Sequence, residues 1–185
     1  LTAVYHQALA EDLPANLALQ ANVTASSQFN DAYRPEMAIT GVVPSEFQED
    51  QDWATRGTPT GTFTLQWKEP VEAAQIVYYA RVTSPLLECF KDYEIYADGQ
   101  DKPIAQGRLE HRRGPQLISF PKQRLTKLRI EFLSAHPNSP NPGAAEIAVY
   151  ARPVTDKQLA ELRIPAEEKT PEANALQQEL LSGQL

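Results

Sequence analysis

The residues best suited to chemistry are few and scattered. His111-Arg112-Arg113 is the densest cationic spot in the 185-residue chain, and it stands directly after Glu110. It has two readings: a solvated loop tip balanced by Glu110, or an anion-binding fork, since a guanidinium matches the plane of a carboxylate such as a uronate. His6 and His136 are remote from it in sequence, so the three histidines make no metal-ligand spacing. The single cysteine, Cys89, excludes an internal disulfide and a cysteine-rich zinc site, and it reads as a buried, inert thiol. Paired acids occur at Glu49-Asp50 and Glu167-Glu168. Glycosidic cleavage needs two carboxylates held apart across a cleft, which adjacent residues do not supply. GxSxG, HExxH and phosphate-cradling glycine patterns are all missing, so the residues point to binding and away from catalysis. Asn22-Val23-Thr24 is a glycosylation sequon by pattern alone.

Composition narrows the partners. With 17 basic against 24 acidic residues the formal charge is -7, which leaves no general positive field to hold a phosphate backbone and argues against nucleic acid. No apolar run approaches the roughly 20 residues of a bilayer span. An apolar content of 42% suffices for one core. The start at Leu1 rather than Met reads as a mature or excised fragment.

The elements that must position these residues are strands. Two apolar runs of period two, Ile76, Tyr78, Ala80 and Tyr93, Ile95, Ala97, flank a loop too long for a tight hairpin, and the second ends in the turn dipeptide Asp98-Gly99. Further strands are expected at 62–67, 125–133, 116–120 and 144–150, with a first one entered from Asn16. The spacing predicts an all-β sandwich with its loops as the recognition surface. Pro35 opens PEMAIT as one helical turn closed by Gly41. Between Val42 and Gly61 lies a long polar loop whose only large aromatics are Phe47 and Trp53. A short helix is expected over residues 1–13, stopped by Pro14. Two more are expected in the tail, at Asp156–Ile164 and Ala175–Leu181. Three segments follow: a lead-in at 1–15, the sandwich at 16–152 and a helical tail at 153–185.

In order and spacing, NLALQANVTASS, PEMAITG, DWAT, FTLQWKEPVEAAQIVYYARV, KDYEIYADG, LTKLRIEF and AAEIAVYA resemble the discoidin or coagulation-factor type C superfamily, closest in type to carbohydrate-binding module family 32. The resemblance implies a galactose-binding-like jelly-roll β-sandwich of two antiparallel sheets, here with short helical extensions, secreted to an extracellular or periplasmic place and appended to a larger glycoside-active enzyme. It makes Trp53 the buried ring that closes the long loop. For ligand binding it implies Arg81 at the strand end and Glu36 as acidic partner, whereas Ala54 and Leu87 stand where His and Asn are expected. The loop end around Arg81, Glu36, Phe47 and His111 is therefore the expected glycan contact, and a strand-end ion pair is the competing role for Arg81. A structural calcium is also implied near the early turn. Its candidate ligands are Thr40, which stands where Asp is expected, and Glu146. Loss of that carboxylate weakens the site.

Two alternatives to glycan binding remain open. One is a sandwich that packs against a neighbouring catalytic domain. The other is protein adhesion through an apolar patch of Leu86, Leu87 and Phe90.

Overall fold

The computed structural model describes residues 13–43, 51–81, 87–155 and 158. Seven strands follow in chain order: β1 (Asn22–Ala25), β2 (Trp53–Ala54), β3 (Gly61–Ala80), β4 (Asp92–Ala97), β5 (Ala105–Arg108), β6 (Pro115–Phe132) and β7 (Gly143–Tyr150). All their pairings are antiparallel.

The strand expected at 62–67 and the run of Ile76, Tyr78 and Ala80 are one continuous strand, as are the strands expected at 116–120 and 125–133. Each of these long strands serves both layers of the sandwich. The first half of β3 pairs with β1 (Val23 opposite Leu65) and with the second half of β6 (Phe63 opposite Ile130), and β4 and β5 extend that layer. The second half of β3 pairs with the first half of β6 (Ile76 opposite Ile118) and with β7, and β2 forms the edge beyond β7. The pairing slips between Gln66 and Val71, where Glu69-Pro70 carries β3 from one layer to the other. Proline lacks the N–H a ladder needs, so it is tolerated at such a break.

Period-two alternation along the strands puts Phe63, Leu65, Ile76, Tyr78, Ile95, Ile130 and Phe132 between the layers, each buried. Each such side chain contributes about 1.5–3 kcal/mol by leaving water. Trp53 is fully buried. Its ring lies 5.0 Å from Phe63 and 5.8 Å from Phe90, and its Nε1–H donates to the Ser27 carbonyl at 2.9 Å. The indole thus anchors its loop as the resemblance implied. Phe90 stacks on Phe132 at 4.0 Å. This corrects the adhesive patch: Phe90 is core, Leu87 is half-buried, and Leu86 lies outside the described residues. On the opposite face of the β3–β7 pair, Val77, Tyr79, Ala145, Ala148, Tyr150 and Val154 form a second apolar cluster.

Leu17–Gln20 is a 3-10 turn, not the start of a strand, because the Asn16 carboxamide oxygen accepts the Ala18 N–H at 3.1 Å and caps it. The PEMA turn is present as a 3-10 turn at Pro35–Ala38. Among the described residues all complete helical elements are such short turns. The helix expected over 1–13 and most of the expected helical tail lie outside the described residues. Within them, Thr155 and Gln158 cap one another, Gln158 N–H to Thr155 Oγ1 at 3.3 Å and Thr155 N–H to Gln158 Oε1 at 2.9 Å.

Candidate functional site

Because β3 and β6 fold back on themselves, the loops 26–43, 51–60, 87–91, 109–114 and 133–142 gather at one end of the sandwich. Arg81, the first residue after β3, is their hub. Its Nε donates to Asp52 Oδ2 at 2.9 Å, and its Nη1 donates to Glu88 Oε2 at 2.5 Å and to the Asn141 carbonyl at 2.8 Å. The guanidinium carbon sits 5.2 Å from the Tyr33 ring centre. The other oxygen of Glu88 accepts the Asn141 N–H at 2.8 Å. Arg81 is only 5% exposed. The structure therefore realises the ion-pair role: the guanidinium faces inward and fastens three loops and the Tyr33 turn to one point.

Burial pushes the Asp52 carboxyl up to about 6, against the opposing pull of Arg81. Its Oδ1 is buried without a hydrogen-bond partner.

His111 reaches the residue before Glu88. Its Nε2 donates to the Leu87 carbonyl at 2.7 Å, and its ring stacks on His136 at 4.8 Å and 6°. His136 Nε2 lies 2.9 Å from the Leu109 carbonyl. Since a carbonyl only accepts, both rings carry a proton on Nε2. The expected uronate fork is already used: Arg112 binds Glu110 Oε2 at 2.5 Å and the Pro115 carbonyl at 3.0 Å. Glu36 is exposed on the turn after Tyr33, with Arg34 Nε at 4.0 Å. Phe47 lies outside the described residues. The loop end thus brings Arg81 and His111 to neighbouring loops, with Arg81 turned inward.

Cys89 is buried, and desolvation pushes its thiol up to about 11, which leaves it unreactive. A shallow groove of about 290 Å³, lined by Asp92, Tyr93, Glu94, Gln106, Gly107 and Leu133, carries two carboxylates. Both already have partners. Asp92 binds Ser134 Oγ at 2.6 Å and Arg108 Nε at 3.1 Å, and Glu94 accepts from the Tyr96 hydroxyl at 2.6 Å. Its hydrogen bond from Ser134, then that from Arg108, holds Asp92 below the usual carboxylate range, the opposite of what a general acid needs.

Thr40 and Glu146, the candidate calcium ligands, are in contact. Glu146 projects from β7 with 2% exposure. Its Oε2 accepts the Thr40 N–H at 2.9 Å, and its Oε1 accepts the Gly41 N–H at 3.0 Å and Asn16 Nδ2 at 3.4 Å. Calcium takes six to eight oxygens. Here the carboxylate is met by N–H groups, whose positive ends stand where a cation would, so these residues do not fit the metal. Burial pushes the Glu146 carboxyl up to about 7, opposed most by the Gly41 and Thr40 hydrogen bonds. Among the described residues no group of three or more His, Cys, Asp or Glu gathers to hold an ion.

Two features escaped sequence reasoning. One is the triangle of Asp52, Arg81 and Glu88; its members are separated by a loop and a long strand, so only the fold joins them. The other is Phe29, whose ring meets Tyr33 edge-on at 5.7 Å; the signal available was an aromatic set among the small polar residues of SSQFND.

A two-layer antiparallel sandwich with a fastened crown of loops and a buried tryptophan under it has the galactose-binding-like fold of family 32 carbohydrate-binding modules. Residues 16–150 match a family described as a domain of unknown function, DUF7402, and the chain belongs to that family. Among solved structures it is similar to CpGH89CBM32-5 of Clostridium perfringens in complex with GalNAc-β-1,3-galactose, at 20% identity over 74% of this chain and 100% of that one, with a TM-score of 0.61. It is similar to chitosan-binding module 1 of a chitosanase/glucanase from Paenibacillus sp. IK-5, at 17% identity over 74% and 98%, with a TM-score of 0.54. It is also similar to the CBM32-1 and CBM32-2 domains of Clostridium perfringens ZmpB, at 23% identity over 96% and 49%, with a TM-score of 0.62. No curated protein matches the chain. No helix among the described residues is long and apolar enough to cross a membrane.

Proposed function

We propose that the chain is a non-catalytic carbohydrate-binding module that meets glycan with its crown of loops, attached to a larger secreted or periplasmic enzyme that acts on glycosides. The observation that carries this reading is the Arg81 hub. By joining the Asp52, Glu88 and Asn141 loops and the Tyr33 turn, it sets the crown before any ligand arrives. A pre-set surface loses little entropy on binding, which is what weak sugar recognition demands. The solved neighbours with this fold include modules in complex with galactose-containing glycan and a module that binds chitosan. In this reading His111 and Glu36 present polar groups at the rim and Arg81 positions the loops beneath them. Isothermal titration of the folded chain with galactose, N-acetylgalactosamine and chitosan oligosaccharides, backed by a glycan array, tests it. Saturable binding is expected, and a flat response to every glycan rejects the reading.

A second reading draws on the inward turn of the same guanidinium. An arginine spent on Asp52 and Glu88 serves the fold, which favours a structural or protein-interaction domain seated against a neighbouring catalytic domain. Deleting the module from the parent protein separates the two. Lost glycan affinity supports the first reading, and a lowered melting temperature of the neighbour with unchanged affinity supports the second.

A further inference from the structure

We infer that Phe29 is the stacking platform on which this module receives the apolar face of a hexopyranose ring. The inference rests on the glycan-binding reading above and adds the contact residue.

Phe29 is 41% exposed, in a loop where folding gives it little reason to be aromatic. A lone surface phenylalanine is ordinary. What sets this one apart is how firmly it is held. Its N–H donates to the Ala54 carbonyl at 2.8 Å. Two residues earlier, Ser27 accepts the Trp53 indole at its carbonyl and the Arg56 N–H at its hydroxyl, at 2.9 and 3.0 Å. One residue later, Asn30 caps the next turn through the Ala32 N–H at 2.8 Å. The ring itself is braced edge-on by Tyr33, which lies against Arg81. The chain of contacts Phe29, Tyr33, Arg81, Asp52 therefore ties an exposed ring to the buried hub of the crown.

A ring braced in this way loses little conformational entropy when a flat C–H face stacks on it. The same short segment carries exposed polar groups, loosely paired with one another, that hydroxyls could meet. Gln28 Nε2 lies 3.3 Å from Asp31 Oδ1, Arg34 Nη1 holds the Asp31 carbonyl at 2.9 Å, and Arg34 and Glu36 stand at 4.0 Å from each other. An exposed aromatic ring in a segment that also carries a carboxamide, two carboxylates and a guanidinium matches a sugar, which presents C–H groups on one side and hydroxyls at its edge.

The test titrates the full chain and its Phe29→Ala, Phe29→Tyr and Phe29→Trp variants with galactose, N-acetylgalactosamine and chitosan oligosaccharides, followed by a glycan array, with melting temperatures recorded for each. Leu117→Ser, which alters an exposed leucine on β6, is the control. The expected result is at least about tenfold weaker binding for Phe29→Ala, with near-native binding for both aromatic variants and for the control, at unchanged melting temperature. If the native chain binds glycan and Phe29→Ala binds it equally well, the platform is rejected while the module reading stands. If the native chain binds none of the probes or array glycans, both fall together. An apolar peptide or protein that binds the Phe29 surface in place of glycan rejects the sugar assignment as well.

Discussion

Arg81 Nε meets Asp52 Oδ2 at 2.9 Å in a setting where the two side chains are 7% and 3% exposed. Glu88 completes the triangle from the other side of the guanidinium. Two acids and one base leave this buried group with a surplus negative charge, which agrees with the upward push on Asp52.

Removing the base should therefore cost more than removing a surface pair. Arg81→Ala is expected to lower stability by about 3–5 kcal/mol in a denaturant titration, because two carboxylates stay buried without their cation. Arg81→Lys is expected to recover only part of this, since an ammonium cannot reproduce the planar reach to Asp52 and Glu88 together. A loss below about 1 kcal/mol for the alanine variant would mean that the triangle behaves as a surface pair.

Acidity should stabilise the fold. Asp52 at about 6 and Glu146 at about 7 are both raised above their values in the unfolded chain, so the native state holds the extra protons. Their contribution is complete below the unfolded values and is lost as pH rises through about 6 to 7. Tyr79 and Tyr150, which face Glu146, are pushed up by burial and stay neutral there. Asp92 and Glu72, held low chiefly by hydrogen bonds from Ser134 and Lys122, are ionised throughout. Stability should fall on the order of 4 kcal/mol between pH 5 and pH 8, and Glu146→Gln should flatten that slope. A profile that rises over the same interval overturns the assignment.

Calcium should not matter to this chain. With three N–H groups aimed at the Glu146 carboxylate, the melting temperature is expected to be the same in excess calcium and in chelator. Glu146→Ala should destabilise by about 1–3 kcal/mol by stranding those donors. A calcium-dependent rise of several degrees would show that the turn rearranges around the ion.

Gly143 is fixed by contact. A methyl group there would overlap the Trp53 carbonyl, because β2 pairs with β7 at that point. Gly143→Ala is expected to lower stability by about 1–3 kcal/mol, and circular dichroism melts that match the native chain would refute the close approach.

The pattern of strands was legible because period-two burial is local: Ile76, Tyr78 and Ala80 advertise an inner face without reference to anything distant. Asp98-Gly99 was legible for the same reason, and both residues do take positive φ, at 43° and 75°. The merger of the expected strands into two long ones was hidden, since Pro70 and Pro121 look like stops when the partner strand is unknown. Strand β5 was missed because Ala-Gln-Gly-Arg has little β character; Gly107 is there to leave room for the Tyr93 ring opposite it. At the site, sequence pointed to Arg81 and Glu146 but not to their surroundings. The partners of Arg81 and the donors to Glu146 are supplied by distant parts of the chain, and whether a charged group reaches a ligand or a neighbour is decided by that assembly.

Two uninterrupted strands, β3 and β6, run through both layers. Neither layer can peel away while its companion stays intact, since each rupture propagates along shared backbone. The sandwich should therefore melt in a single step seen alike by tryptophan fluorescence and by far-ultraviolet dichroism. A sandwich built this way bears a pull at its two ends as one unit and does not yield piecemeal.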